Sequence, residues 1–95
     1  MSDVKLRLVA VLNDATRALS QAEAAALLGV NQPKVSALRH GKLAGFSVER
    51  LMGLLMMLGY DIEIRIRRVR RVGRISVVLA NQRGSLAWQP KGKAK

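Results

Sequence analysis

Leu19-Ser20-Gln21-Ala22-Glu23-Ala24-Ala25-Ala26-Leu27-Leu28-Gly29-Val30-Asn31-Gln32-Pro33-Lys34-Val35-Ser36-Ala37-Leu38-Arg39-His40-Gly41-Lys42 is the stretch whose reading decides the fold. In Ser20-Gln21-Ala22-Glu23 the serine hydroxyl can accept from the backbone N–H near Glu23 while the Glu23 carboxylate reaches back, so a helix starts at Gln21. It runs through Ala24, Ala25, Leu27 and Leu28 to Gly29, whose missing side chain permits the left-handed conformation of a helix end. Asn31 caps a second helix, Pro33 sits in its first turn where a missing N–H costs little, and Gly41 follows Arg39 and His40 as a stop. Two short helices joined by a tight turn result. Ala25 is small where they cross, and Val30, Val35 and Leu38 supply the inner face that fixes the crossing. Gln32, Pro33, Ser36, Ala37 and His40 lie on another face, and the members nearest the helix start stand where a recognition helix meets base edges in the major groove.

Upstream, Val4, Leu8, Val11, Leu12, Ala15 and Leu19 recur at intervals of three and four, which predicts an amphipathic helix over residues 4–19. Downstream, Ser47 caps a helix over 48–58 that Gly59 ends. Leu51, Met52, Leu54, Leu55, Met56, Met57 and Leu58 leave that helix little polar surface, so it is expected to be covered on two sides. After Gly59 the period changes to two. Ile62, Ile64 and Ile66 alternate with Glu63, Arg65 and Arg67, and Ile75, Val77 and Leu79 alternate with Ser76, Val78 and Ala80, a pattern that predicts two strands. Gly73 is the one strong turn residue between them, which leaves open whether they pair within a chain or between two chains. The expected organisation is a helix-turn-helix domain over 1–59, a β-strand dimerisation extension over 60–81, and a basic, disordered tail over 82–95. The expected fold class is therefore mainly α with a C-terminal β extension, the two strands forming a dimer sheet through Ile62, Ile64, Ile66, Ile75, Val77 and Leu79.

Charge narrows the class of partner. Seventeen lysines and arginines against six acids leave +11 over 95 residues. A field of that size attracts polyanions, and most of the excess follows Gly59. Cysteine is absent and histidine occurs once. No disulfide framework, thiolate metal site or cysteine nucleophile can be built from this set, and it fits a reducing cytoplasm. The acids Asp3, Asp14, Glu23, Glu49, Asp61 and Glu63 are scattered and no phosphate-binding glycine loop appears, so catalytic residues, metal ligands and a cofactor are not expected. The apolar run near Leu51 to Tyr60 is far shorter than the ~20 residues of a membrane span. The residues after Met1 lack the long apolar segment of a secretory signal.

The segment from Leu19 to Lys42 resembles the helix-turn-helix of the lambdoid phage repressors and Cro, the XRE-type regulators. The likeness is carried by Leu19 to Glu23, Gly29, Gln32, Leu38 and Gly41-Lys42 and covers about the first sixty residues. The chain is more closely similar to HigA-type antitoxins and their relatives, which carry Gln-Pro-Lys/Arg-Val-Ser at the recognition helix (here Gln32 to Ser36) and a Gly-Tyr-Asp-Ile-Glu-Ile strand after the fourth helix (here Gly59 to Ile64). The resemblance implies a lambda-repressor-like bundle in which Gln21 binds a DNA phosphate, Gln32 contacts a base and Lys42 touches the backbone. Pro33 and Ala37 stand where phage repressors often carry glutamines. Part of the readout then falls to apolar contact with thymine methyls or to Lys34 and Ser36.

The expected DNA-binding residues are Gln21, Asn31, Gln32, Pro33, Lys34, Ser36, Ala37, Arg39, His40 and Lys42. Several have a second role open to them. Arg39 turns partly toward Val35 and can pair with an acid within the fold. His40 stands at a helix end, where a charge–dipole role competes with phosphate contact. Lys34 and Lys42 are phosphate ligands or solvated cations. The expected function is a dimeric repressor bound to double-stranded operator DNA. The alternative that the HigA likeness implies is an antitoxin that inhibits an intracellular ribonuclease toxin and controls its own operon. RNA binding through the arginine-rich segment is weaker, because no stacking aromatic interleaves with those arginines.

Overall fold

The computed structural model describes residues 2–80 and folds them into four helices: α1 (Ser2–Ala15), α2 (Gln21–Leu28), α3 (Gln32–Arg39) and α4 (Val48–Met57). Three of them begin on a capping residue with extended backbone. Ser20 Oγ accepts from the Glu23 N–H at 3.0 Å and Glu23 Oε1 accepts from the Ser20 N–H at 2.9 Å, completing the capping box. Asn31 Oδ1 accepts from the Lys34 N–H, and Ser47 Oγ from the Arg50 N–H. Each cap also carries an apolar pair across it, one residue before the cap and one in the first turn. Leu19 and Ala24 share a cluster, as do Val30 and Val35, and Phe46 shares another with Leu51. These pairs set the angle at which the chain enters each helix.

The helices form two layers of contact. α1 packs along α4, burying Val4, Leu8, Val9 and Leu12 against Leu51, Leu54 and Leu55, with Leu28, Leu38 and Phe46 closing the same cluster. α2 crosses α3 over Ala24, Ala25 and Val35, where small residues let the two backbones approach. α1 ends at Ala15 rather than at Leu19. The chain turns over Thr16–Ala18, where the Leu19 N–H donates to the Thr16 carbonyl at 3.0 Å, and Leu19 instead packs on the α2–α3 cluster. One flank of α4 stays in solvent at Met56 and Met57, so that helix is not covered on both sides.

The expected β extension is corrected. Among the described residues there is no strand, and the fold class is all-helical, without the dimer sheet read from the alternation. The apolar rows do not act as faces. Ile62 packs on the core while Ile64 and Ile66 stand 72% and 91% exposed, and Val77 packs on the core while Ile75 and Leu79 are 62% and 52% exposed. Between the two segments lie Arg68, Arg70, Arg71 and Arg74, with a bend at Arg70 and Arg71. A two-residue-period pattern specifies which side chains could share a face, but a ladder also needs a partner strand in register, and like charges brought opposite each other oppose it. The basic tail expected over 82–95 lies outside the described residues. Among the described residues no helix is long and apolar enough to cross a membrane.

Candidate nucleic-acid interface

The turn between α2 and α3 sets the site. Gly29 takes φ 71° and its N–H donates to the Ala25 carbonyl at 2.9 Å; the Val30 N–H donates to the same carbonyl at 3.1 Å. A left-handed residue closes the helix end, and the chain reverses within Gly29, Val30 and Asn31 before α3 begins. Val35 and Leu38 are buried and hold α3 by its inner side. Gln32, Pro33 and Lys34 then stand exposed together on the first turn of α3. At the other end Gly41 takes φ 72°; its N–H donates to the Leu38 carbonyl and the Lys42 N–H to the Ala37 carbonyl, so Lys42 leaves the helix as an exposed cation.

The other expected site residues fall into distinct places. Gln21 is half-buried at the first position of α2, and Asn31 is exposed while its side-chain oxygen serves the cap. Ser36 is half-buried, and Ala37 is half-buried against the main cluster, turned further inward than the free face read from the sequence. His40 Nδ1 lies 2.8 Å from the Ser36 carbonyl, which can only accept, so Nδ1 carries the proton and Nε2 is the ring nitrogen left to solvent. Arg39 is engaged inside the fold: one guanidinium nitrogen donates to the carbonyls of Thr16 and Leu19, each at 3.0 Å. Its partners are backbone carbonyls and not the acid that the sequence suggests.

Two supporting groups were not evident from sequence. Asn13 Nδ2 donates to the Leu38 carbonyl at 2.9 Å, tying α1 to the C-terminal end of α3. The Lys34 ammonium stands 5.3 Å from the centroid of the Phe46 ring, a cation–π distance that leans this lysine toward the loop before α4. The position of Phe46 directly before the Ser47 cap, five residues ahead of Leu51, was the available signal for its burial. No such signal marks Asn13, because its partner is a backbone group 25 residues away.

The arrangement offers an exposed helix start with an amide, a proline ring and a cation, with Gln21 at the first position of α2 and His40 and Lys42 beyond the other end of α3. Among the described residues no group of histidines or acids could hold a metal ion. A family model described as a helix-turn-helix domain matches residues 4–67, well over half of the chain. No curated protein matches. A solved structure described as "Putative XRE Family Transcriptional Regulator" is 61% identical, with 83% of this chain and 94% of that chain covered and a TM-score of 0.77. The chain belongs to the XRE-type helix-turn-helix family.

Proposed function

We propose that this chain is a sequence-specific DNA-binding regulator that represses transcription by occupying a promoter, with the start of α3 in the major groove. The observation that carries the reading is the contrast along α3: Val35 and Leu38 are buried, while Gln32, Pro33 and Lys34 stand exposed on one rigid turn. A side chain held on a packed helix presents its donors in a fixed direction, and a glutamine so placed can bond bidentately to adenine. The Pro33 ring suits contact with a thymine methyl, and Lys34 and Lys42 suit phosphates. One helix-turn-helix contacts few base pairs, so two copies on half-sites about 34 Å apart would supply useful specificity. The apolar side chains left exposed after Tyr60 support such a homodimer.

Selection from random duplex DNA, followed by footprinting of the enriched sequence, tests the reading. A two-fold symmetric site is expected. Enrichment of no sequence over random duplex would overturn sequence-specific recognition. The antitoxin alternative rests on the likeness at Gln32 to Ser36 and Gly59 to Ile64. It requires a neighbouring reading frame whose product arrests growth unless this chain is co-expressed.

A further inference from the structure

Ile62 and Val77 both pack on the main core cluster, and Ile75, Ser76 and Val77 lie beside Asp3, Val4 and Arg7 of α1, lining one shallow cleft with them. The chain between, residues 63–74, is thus pinned at both ends and, apart from half-buried Val69, exposed throughout. It holds Arg65, Arg67, Arg68, Arg70, Arg71 and Arg74 against the single acid Glu63. Arg65 pairs with Glu63 at 3.0 Å, but the two side chains are 76% and 73% exposed and such a pair is worth little. Arg71 donates to the Val72 carbonyl. Arg67, Arg68, Arg70 and Arg74 have no hydrogen-bond or ion-pair partner among the described residues.

We infer that residues 63–74 form a cationic arm that grips the phosphate backbone of duplex DNA beside the site occupied by α3; the inference rests on the proposed DNA-binding function. Cations crowded on one short segment repel each other, and a polyanion removes that cost while releasing its own counterions. Every cation from 61 to 80 is an arginine, and the planar guanidinium is the group that matches phosphate oxygens two at a time. The segment 61–80 contains no aromatic residue on which an unpaired base could stack, which favours duplex over single strands. A loop of this length that runs out and back reaches about 20 Å, enough to meet phosphates roughly half a helical turn away.

The test uses the full chain and its Arg67→Gln, Arg68→Gln, Arg70→Gln, Arg74→Gln variant, titrated over a range of salt against three duplexes: the selected operator with flanks, the operator trimmed to its enriched base sequence, and a random duplex. The variant should melt at no lower a temperature than the parent, because these side chains hold nothing in the fold. It should bind the flanked operator and the random duplex roughly 100-fold more weakly at low salt, with a salt slope shallower by about three. Trimming the flanks should cost the parent affinity and leave the variant unaffected. The corresponding fourfold arginine-to-lysine variant should keep most of the slope. A parent-like slope in the glutamine variant, with Gln32→Ala still losing discrimination at one base pair, would overturn the arm and leave the α3 reading standing. An arm-dependent slope with no base-specific effect of Gln32→Ala would uphold the arm and count against that reading. Tighter arm-dependent binding to single strands than to duplex would also overturn the arm.

Discussion

The guanidinium of Arg39 at the end of α3 donates to the carbonyl of Leu19, 3.0 Å away and immediately before the α2 cap, and the same nitrogen reaches the Thr16 carbonyl. One side chain thereby fixes the turn between α1 and α2 to the far end of α3. A charged donor serving two carbonyls at a part-buried site is worth about 1–3 kcal/mol. Arg39→Ala should lower stability to denaturant by that amount. Its loss of DNA affinity should follow the loss of folded protein, with the salt slope unchanged. A slope shallower by about one at parental stability would make Arg39 a phosphate ligand instead.

Two glycines should respond in opposite directions to alanine. At Gly29 an added Cβ would meet only the Met57 methyl at 4.0 Å, so there is room, but the backbone sits at φ 71°. Gly29→Ala should cost about 1–2 kcal/mol through the left-handed conformation alone. At Gly53, inside α4, nothing lies within 4 Å of an added Cβ and φ is ordinary for a helix. Gly53→Ala should stabilise by about 0.5–1 kcal/mol. Paired urea melts decide it: the same sign of change at both positions would contradict the assigned backbone.

What the sequence made legible was local. Ser20, Asn31 and Ser47 act on backbone groups three residues away, and Gly29, Gly41 and Gly59 end or follow their helices within one turn, so the bounds of α2 and α3 follow from short windows. Non-local partners were not legible. Leu19 fits the α1 period, yet the packing of α2 on α3 and the reach of Arg39 claim it for the turn. The Ile–Arg alternation after Tyr60 satisfies a strand pattern, but pattern carries no information about whether a partner strand exists. In the folded chain Ile62 and Val77 spend their apolar surface on the helical core. Within the candidate interface the exposed start of α3 follows from the caps, whereas the engagement of Arg39 and the inward turn of Ala37 depend on α1 and the core.

Gln32 and Lys34 should separate base readout from charge. Gln32→Ala should lose about 1–3 kcal/mol of discrimination at one base pair and little affinity elsewhere. Lys34→Ala should weaken binding to all duplexes and reduce the salt slope by about one. Because the ammonium also stands over Phe46, Phe46→Leu should release Lys34 from the ring without removing its charge, leaving the slope intact. Binding specificity profiles of the three variants supply the comparison. Parent-like profiles for Gln32→Ala would remove α3 from the contact.

The exposed apolar side chains after Tyr60 bear on assembly. Ile64, Ile66, Ile75 and Leu79 all face solvent in the single chain, and burying one such side chain contributes about 1.5–3 kcal/mol, so a contact that covers several of them can offset the cost of joining two copies. Ile62 and Val77 differ, because their surface is already committed to the chain's own core. Substitution should therefore split into two classes. Ile66→Ser should dissociate the proposed dimer and weaken binding to a two-fold operator while leaving the melting temperature of the dissociated chain unchanged. Ile62→Ser should lower the stability of the single chain by about 2 kcal/mol, whatever its effect on association. The arginines interspersed with these isoleucines repel across any such contact, so dimerisation should tighten as salt rises, opposite to the salt dependence of DNA binding. Sedimentation equilibrium of the parent and both variants at two salt concentrations measures all three effects. A parent that stays monomeric at tens of micromolar, yet binds its operator tightly, would rule out these residues as the dimer contact.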